Sequence, residues 1–235
     1  IANFNNALGK AFHDKSYDVT LYSFSLQYPS FLFPGTTQYE TGDPPKNLKI
    51  KTIINSINPL NWLRVARLIN NEKPDLVIIR YWLPFMAPCL GTISYFLNKK
   101  IKILAITDNI IPHEKRLGDN ILTKYFVLSC DAFLSLSASV LVDLNKFTNS
   151  TFKKFIPHPI YDVFGDKVSK KEAILRLKLD PNDKYLLFFG FVRKYKGLDL
   201  MLRAMNDKRI KEIGVKLIIA GEFYENKNEY LDLIE

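Results

Sequence analysis

Arg193 and Lys196 stand three residues apart in the segment Gly190-Phe191-Val192-Arg193-Lys194-Tyr195-Lys196-Gly197. It joins an apolar run, Leu186-Leu187-Phe188-Phe189, to a stretch of helical pattern. A guanidinium can grip a phosphate through two parallel hydrogen bonds, and an ammonium adds a compact positive charge beside it. Flanking glycines such as Gly190 and Gly197 let backbone approach a ligand closely. The start of the following helix offers amide donors and a favourable dipole to an anion. Together these groups suit a diphosphate. The bland alternative is an ordinary surface loop with solvated charges, and the placement directly after an apolar strand is what favours the ligand.

A second group follows another apolar run, Ile103 to Thr107: Asp108, Asn109, His113 and Glu114 in the segment Asp108-Asn109-Ile110-Ile111-Pro112-His113-Glu114. Ligands of open α/β sheets gather beyond strand C-terminal ends, so this loop should face a cleft. Carboxylates there can bind hydroxyls or transfer protons, and can equally form turns. His113 is the leading candidate for ligand contact, with ordering of its own loop as the alternative. Ser137 and Ser139 follow Ala132 to Leu136 and could contact ligand or cap a helix. Glu222, after Gly221, could line a cleft or face solvent. His158, between Pro157 and Pro159, reads as structural.

Several chemistries lack their signatures. No Gly-x-Gly-x-x-Gly follows a strand candidate, and no Gly-Lys-Ser/Thr loop exists, which counts against NAD oxidoreductases and P-loop NTPases. The cysteines, Cys89 and Cys130, form no CxxC and stand in no zinc-like spacing with histidine, so reduced structural thiols are expected, with neither metal nor cofactor.

The elements that must position these groups show an α/β alternation. Strand candidates are 19–24, 48–53, 76–80, 103–107, 132–136 and 154–156, mostly apolar on both faces as in a parallel sheet covered by helices. Helical spacing marks 2–14, 60–71, 84–97, 121–130 and 139–147. The uncharged stretch Tyr81 to Leu97 approaches the length of a membrane span, but Pro84, Pro88, Gly91, Thr92 and Ser94 dilute it, and a buried helix is expected instead. The loop 29–47, rich in Pro and Gly, is the longest irregular segment. The pair of prolines around His158 marks a boundary, giving an N-terminal Rossmann-like domain over 1–160 and an incomplete second domain over 161–235. That second domain opens with a Ser169-x-x-Glu172 capping box, then strands 185–189 and 215–220, a helix from Leu198 to about Lys208 and a last one from Asn228. At 235 residues and 47% hydrophobic content the chain can fill both cores.

The formal net charge of +9 favours anionic partners: phosphorylated substrates, an acidic membrane surface or nucleic acid. The basic residues fall in short clusters, such as Lys99, Lys100 and Lys102, so solvated surface is favoured over nucleic-acid binding. The chain opens on Ile1 and a helical pattern, with no signal peptide in view, and a cytoplasmic location with peripheral membrane contact is expected.

The segment Phe189 to Gly221 resembles the start of the donor-binding domain in retaining glycosyltransferases of the GT-B type, those of glycosyltransferase family four. The resemblance implies a two-Rossmann-domain α/β fold. It implies that Arg193 and Lys196, framed by Gly190 and Gly197, hold the diphosphate of a nucleotide sugar. It also implies metal-free transfer of a sugar, with retention, to a glycan or lipid-linked acceptor. The segment Asp108 to Glu114 is similar to one in related bacterial transferases, which implies catalytic roles for His113 and Asp108 and sugar or acceptor contacts for Asn109, Glu114, Ser137 and Glu222. Many family members carry histidine where this chain has Asp108. The family's first strand and glycine loop would precede Ile1, and its paired-glutamate motif would follow Glu235, so this stretch is expected to bind donor weakly and turn over poorly. Alternatives are a nucleotide-sugar epimerase of the same architecture and a non-catalytic module.

Overall fold

The computed structural model describes residues 2–29, 45, 47–112, 114–160, 165–223 and 226–234. The chain divides into two compact units, Ile1–Pro159 and Ile160–Glu235.

The first unit runs α1 (Ala2–His13), β1 (Thr20–Leu26), β2 (Lys49–Asn55), α2 (Pro59–Glu72), β3 (Leu76–Tyr81), a 3₁₀ turn (Pro84–Met86), α3 (Ala87–Tyr95), β4 (Lys102–Thr107), α4 (Asp119–Val127), β5 (Ala132–Ser135), α5 (Ala138–Leu144) and β6 (Lys153–Phe155). All strand pairings are parallel. Sequence reasoning expects one open sheet; the described strands instead form two, β1-β2 and β3-β4-β5-β6. A single core nevertheless joins them: Ile54 of β2 and Tyr22 and Phe24 of β1 pack in the same cluster as Ile79, Met86, Ile103, Ala105 and Phe126. Phe24 also meets Trp82 edge to face at 6.1 Å, and Trp82 Nε1 donates to the Tyr28 hydroxyl at 2.7 Å.

Local chemistry explains where the helices begin and end. Asn58 caps α2 by accepting from the Asn61 amide, Pro59 fills the first turn, and Lys73 closes the helix in the left-handed region. The expected helix over 84–97 is broken into a 3₁₀ turn and α3, because Pro84 and Pro88 each suit a first turn and neither can donate to a preceding one. Ala87, Cys89, Leu90, Gly91, Ile93 and Ser94 of α3 are buried. At Gly91 a Cβ would stand 2.7 Å from the Tyr125 ring, so glycine lets α3 lie directly on α4. Among the described residues no helix is long and apolar enough to cross a membrane.

The second unit contains α6 (Lys170–Arg176), β7 (Lys184–Phe189), α7 (Leu198–Met205), α8 (Lys208–Ile213), β8 (Val215–Ala220) and α9 (Asn228–Leu231). Ser169 caps α6 through the Glu172 amide at 3.2 Å. The helix expected from Leu198 to Lys208 is two helices, since Asp207 accepts from the Arg209 amide and starts α8. Strands β7 and β8 pair in parallel from Lys184↔Val215 to Phe189↔Ala220. Phe188, Leu217 and Ile219 pack with Val192, Leu198, Leu202 and Tyr230 in the core, while Leu187 and Phe189 on the other side of β7 are exposed, Phe189 by 80%.

Candidate functional site

Two places gather chemistry, one in each unit. In the first unit it is the C-terminal end of the four-stranded sheet, where parallel strands of an open sheet present their ligand-facing loops. Asp108 follows the last residue of β4, and its amide donates to the Tyr81 carbonyl at 2.8 Å, extending the ladder by one bond. Its carboxylate is gripped by Arg80 of β3: Nε donates to Oδ2 at 2.6 Å and Nη2 to Oδ1 at 2.7 Å. The side chains are only 8% and 18% exposed. The guanidinium carbon lies 3.8 Å from the centre of the Phe4 ring in α1, and Phe4 in turn meets the His158 ring edge-on at 5.8 Å. The third guanidinium nitrogen, Nη1, is buried and has no hydrogen-bond partner among the described residues.

The strand ends beneath this pair are held by polar contacts inside the core. Thr107 Oγ1 and Ser135 Oγ are 2.7 Å apart and fully buried, joining β4 to β5. The Tyr81 hydroxyl meets Thr123 Oγ1 at 3.1 Å, and its ring stacks on Phe126 at 4.3 Å. Burial pushes the Tyr81 phenol above its ordinary pKa, so it stays protonated and acts as a structural hydrogen-bonding group. Burial likewise pushes the Cys89 and Cys130 thiols up to about 12, as expected of inert structural cysteines.

Of the residues singled out in this loop, Asp108 has both oxygens committed to Arg80. Asn109 is half-buried beside it, Glu114 is exposed, and His113 lies outside the described residues, as does most of the loop 29–47. Ser137 occupies the position that starts α5, yet its hydroxyl caps no amide and instead meets Ser139 Oγ at 2.8 Å; the capping expectation is corrected. Sequence reasoning missed Arg80 and Phe4, and it set His158 aside from the site. The available signal for Arg80 was a charge in an otherwise apolar strand, Leu76-Val77-Ile78-Ile79-Arg80-Tyr81.

The second place is the turn after β7. Gly190 has φ +112°, and its amide donates to the Ala220 carbonyl at 2.9 Å. A Cβ on Gly221 would fall 1.9 Å from the Gly190 carbonyl oxygen, so the ends of β7 and β8 touch backbone to backbone. The Val192 amide donates to the Glu222 carbonyl at 2.8 Å, and Val192 is fully buried, which anchors the loop in the unit's core. Arg193, half-buried, leads into a 3₁₀ turn over Lys194–Lys196. Gly197, at φ +72°, ends that turn and starts α7, and no side chain caps this helix end. The Lys196 ammonium folds back to 3.4 Å from where a Gly190 Cβ would stand. Lys196, Gly190, Gly197 and the start of α7 are thus assembled in one turn, with Asp199 in the helix's first turn as an opposing charge. Glu222 is exposed, and its part in the geometry is the carbonyl that receives Val192.

Among the described residues no group of His, Cys, Asp and Glu is gathered to hold a metal ion. No protein-family model and no curated protein matches the chain.

Proposed function

We propose that the chain is part of a glycosyltransferase of the retaining GT-B type, which moves a sugar from a nucleoside diphosphate to a glycan or lipid-linked acceptor. The observation that carries this reading is the turn from Gly190 to Gly197: two glycines at positive φ, an ammonium folded over the first, and an uncapped helix start after the second. In such a turn the Lys196 ammonium lies beside the Gly190 backbone, and the first amides of α7 have no side-chain cap. Departure of a diphosphate builds negative charge, and preorganised donors stabilise that charge more in the transition state than in the ground state. Arg193 and Lys196 are assigned this work.

Strand order in the first unit supports the same architecture. In the common doubly wound sheet the first strand stands centrally, with the second and third on one side and the fourth onward on the other. The orders β1-β2 and β3-β4-β5-β6 each run outward in chain sequence with parallel neighbours, as the two arms of such a sheet do.

In this reading Arg80 holds Asp108 at the mouth of the site, and Asp108 serves as a positioning group more than as a proton carrier, since both its oxygens already accept hydrogen bonds. His113 remains the candidate for contact with donor sugar or acceptor, and Asn109, Glu114, Ser137 and Glu222 the candidates for hydroxyl contacts. The test is transfer from radiolabelled nucleotide sugars to extracted glycan and lipid acceptors by the complete protein, unaltered and with Arg193→Ala. Transfer that falls at least about a hundred-fold with the substitution supports the assignment. Full activity of the variant would remove it.

A further inference from the structure

Arg80 carries more donors than its partner uses. A guanidinium has five N–H groups in a planar fork. Asp108 takes one from Nε at 2.6 Å and one from Nη2 at 2.7 Å, so it occupies a single edge of that fork. Nη1, with two N–H groups, lies away from that edge; it is buried and has no hydrogen-bond partner among the described residues. A buried donor without an acceptor carries the full desolvation cost of its group, and native structures keep few of them. Arg80 is the penultimate residue of β3, at the strand ends where open parallel sheets receive ligands.

Charge narrows what Nη1 can take. The Arg80 and Asp108 side chains are nearly buried, and their opposite charges cancel. A phosphate or carboxylate at Nη1 would add an uncompensated negative charge beside Asp108 in that setting. A hydroxyl oxygen would satisfy the donor without burying a further charge.

Access narrows it again. The Phe4 ring, 3.8 Å from the guanidinium carbon, closes one face of the fork, so a ligand oxygen reaches Nη1 when that ring yields. Helix α1, which carries Phe4, is lightly held: of its twelve residues Phe4 and Gly9 alone are buried. Gly9 packs toward the side chains of Leu21 and Leu48. Elements with few buried contacts are the ones that open locally at small cost.

We propose that Arg80 Nη1 donates to an uncharged oxygen of the ligand, a sugar hydroxyl, and that Asp108 sets this preference by neutralising the guanidinium, with Phe4 as the cover that yields. Removal of the Asp108 charge would turn the same guanidinium into a site for an anion. The choice of a sugar rests on the transferase reading, whereas the preference for an uncharged oxygen rests on the ion pair.

Saturation-transfer NMR on the chain tests this, with the methyl glycosides of glucose, galactose and mannose and the matching uronic acid glycosides as probes. At least one neutral glycoside is expected to bind, at least about five-fold tighter than its uronic counterpart. Arg80→Lys keeps a cation beside Asp108 but removes Nη1, and should weaken that glycoside about ten-fold. Asp108→Asn should reverse the preference in favour of the uronic form. Phe4→Ala, which removes the cover, should tighten the neutral glycoside about three-fold. Circular dichroism checks that each variant folds, and the comparison of neutral with uronic probes on the unaltered chain needs no variant. The proposal is overturned by no binding of any neutral glycoside, by a uronic preference in the unaltered chain, by undiminished binding in Arg80→Lys, or by an unreversed preference in folded Asp108→Asn. Titration with nucleoside diphosphates reports on the transferase reading separately. Glycoside binding without nucleotide binding would support this inference and count against that reading, and nucleotide binding without glycoside binding would do the reverse.

Discussion

At the ends of β3 and β4 the charges satisfy one another: Arg80 forks onto Asp108, the pair is nearly buried, and Phe4 covers the guanidinium. In the turn after β7 the Lys196 ammonium instead lies exposed over Gly190, on a loop shaped by glycines at positive φ. The first arrangement is rigid and close to neutral, suited to fixing geometry. The second is electropositive, suited to receiving an anion from solvent. The transfer proposed above would draw on both kinds of region, and the contrast between them is open to experiment.

The largest effect is expected from removing the buried cation. Arg80→Ala leaves the Asp108 carboxylate without its partner in a nearly buried position, and should destabilise the first unit by about 3–5 kcal/mol. Lys196→Ala, an exposed side chain on the glycine loop, should change stability by less than about 0.5 kcal/mol. Urea unfolding of both variants reads the contrast directly. Equal effects would mean that the pair is not the structural element described.

A smaller contrast separates the glycines. Gly221→Ala would drive a Cβ into the Gly190 carbonyl oxygen and should cost the second unit about 1–3 kcal/mol, by parting β7 from β8 or straining the turn. Gly118→Ala, at positive φ where Gly221 is not, has nothing within 4 Å of the new Cβ, carries backbone strain alone and should cost less. Thermal melts of the two variants would show the difference, and reversed ranking would break the argument that the strand ends meet backbone to backbone.

The last effect concerns pH and is absent at neutral pH, appearing only in alkali. Burial raises the Cys89 and Cys130 thiols from 9.0 to about 12, so the folded chain binds more protons than the unfolded chain between those values. Stability should therefore be untouched by these groups below pH 9 and fall as pH rises from 9 toward 12. Comparing denaturant midpoints of the unaltered chain and a Cys89→Ala, Cys130→Ala variant across that range isolates their share. The variant should show the shallower decline.

Much of this arrangement was legible in the sequence. Alternating apolar runs and helical patterns located every described strand to within a few residues, and the strand over Val215–Ala220 agrees at both ends. The capping box at Ser169 and the glycine-flanked turn after Phe189 were readable because their chemistry is local. What lay beyond reach depended on partners distant in the chain. Arg80 and Asp108 are 28 residues apart, and neither residue alone announces the other. The separation of β1-β2 from the other four strands is a matter of which edges meet, which period and composition do not encode. Ser137 was open to a capping role by type and position, and a neighbouring hydroxyl claimed it instead. Pro88 broke a single expected helix, a signal present in the sequence but outweighed there by the continuous apolar character of the stretch.

The central claim is that the turn from Gly190 to Gly197 receives a diphosphate. Calorimetric titration of the chain with uridine, guanosine and adenosine diphosphates, repeated on an Arg193→Ala, Lys196→Ala variant whose fold is intact, tests it most directly. The account predicts measurable binding of at least one nucleotide by the unaltered chain, weakened about ten-fold or more in the variant. Equal affinity of the variant, or no binding of any of the three by the unaltered chain, would contradict it.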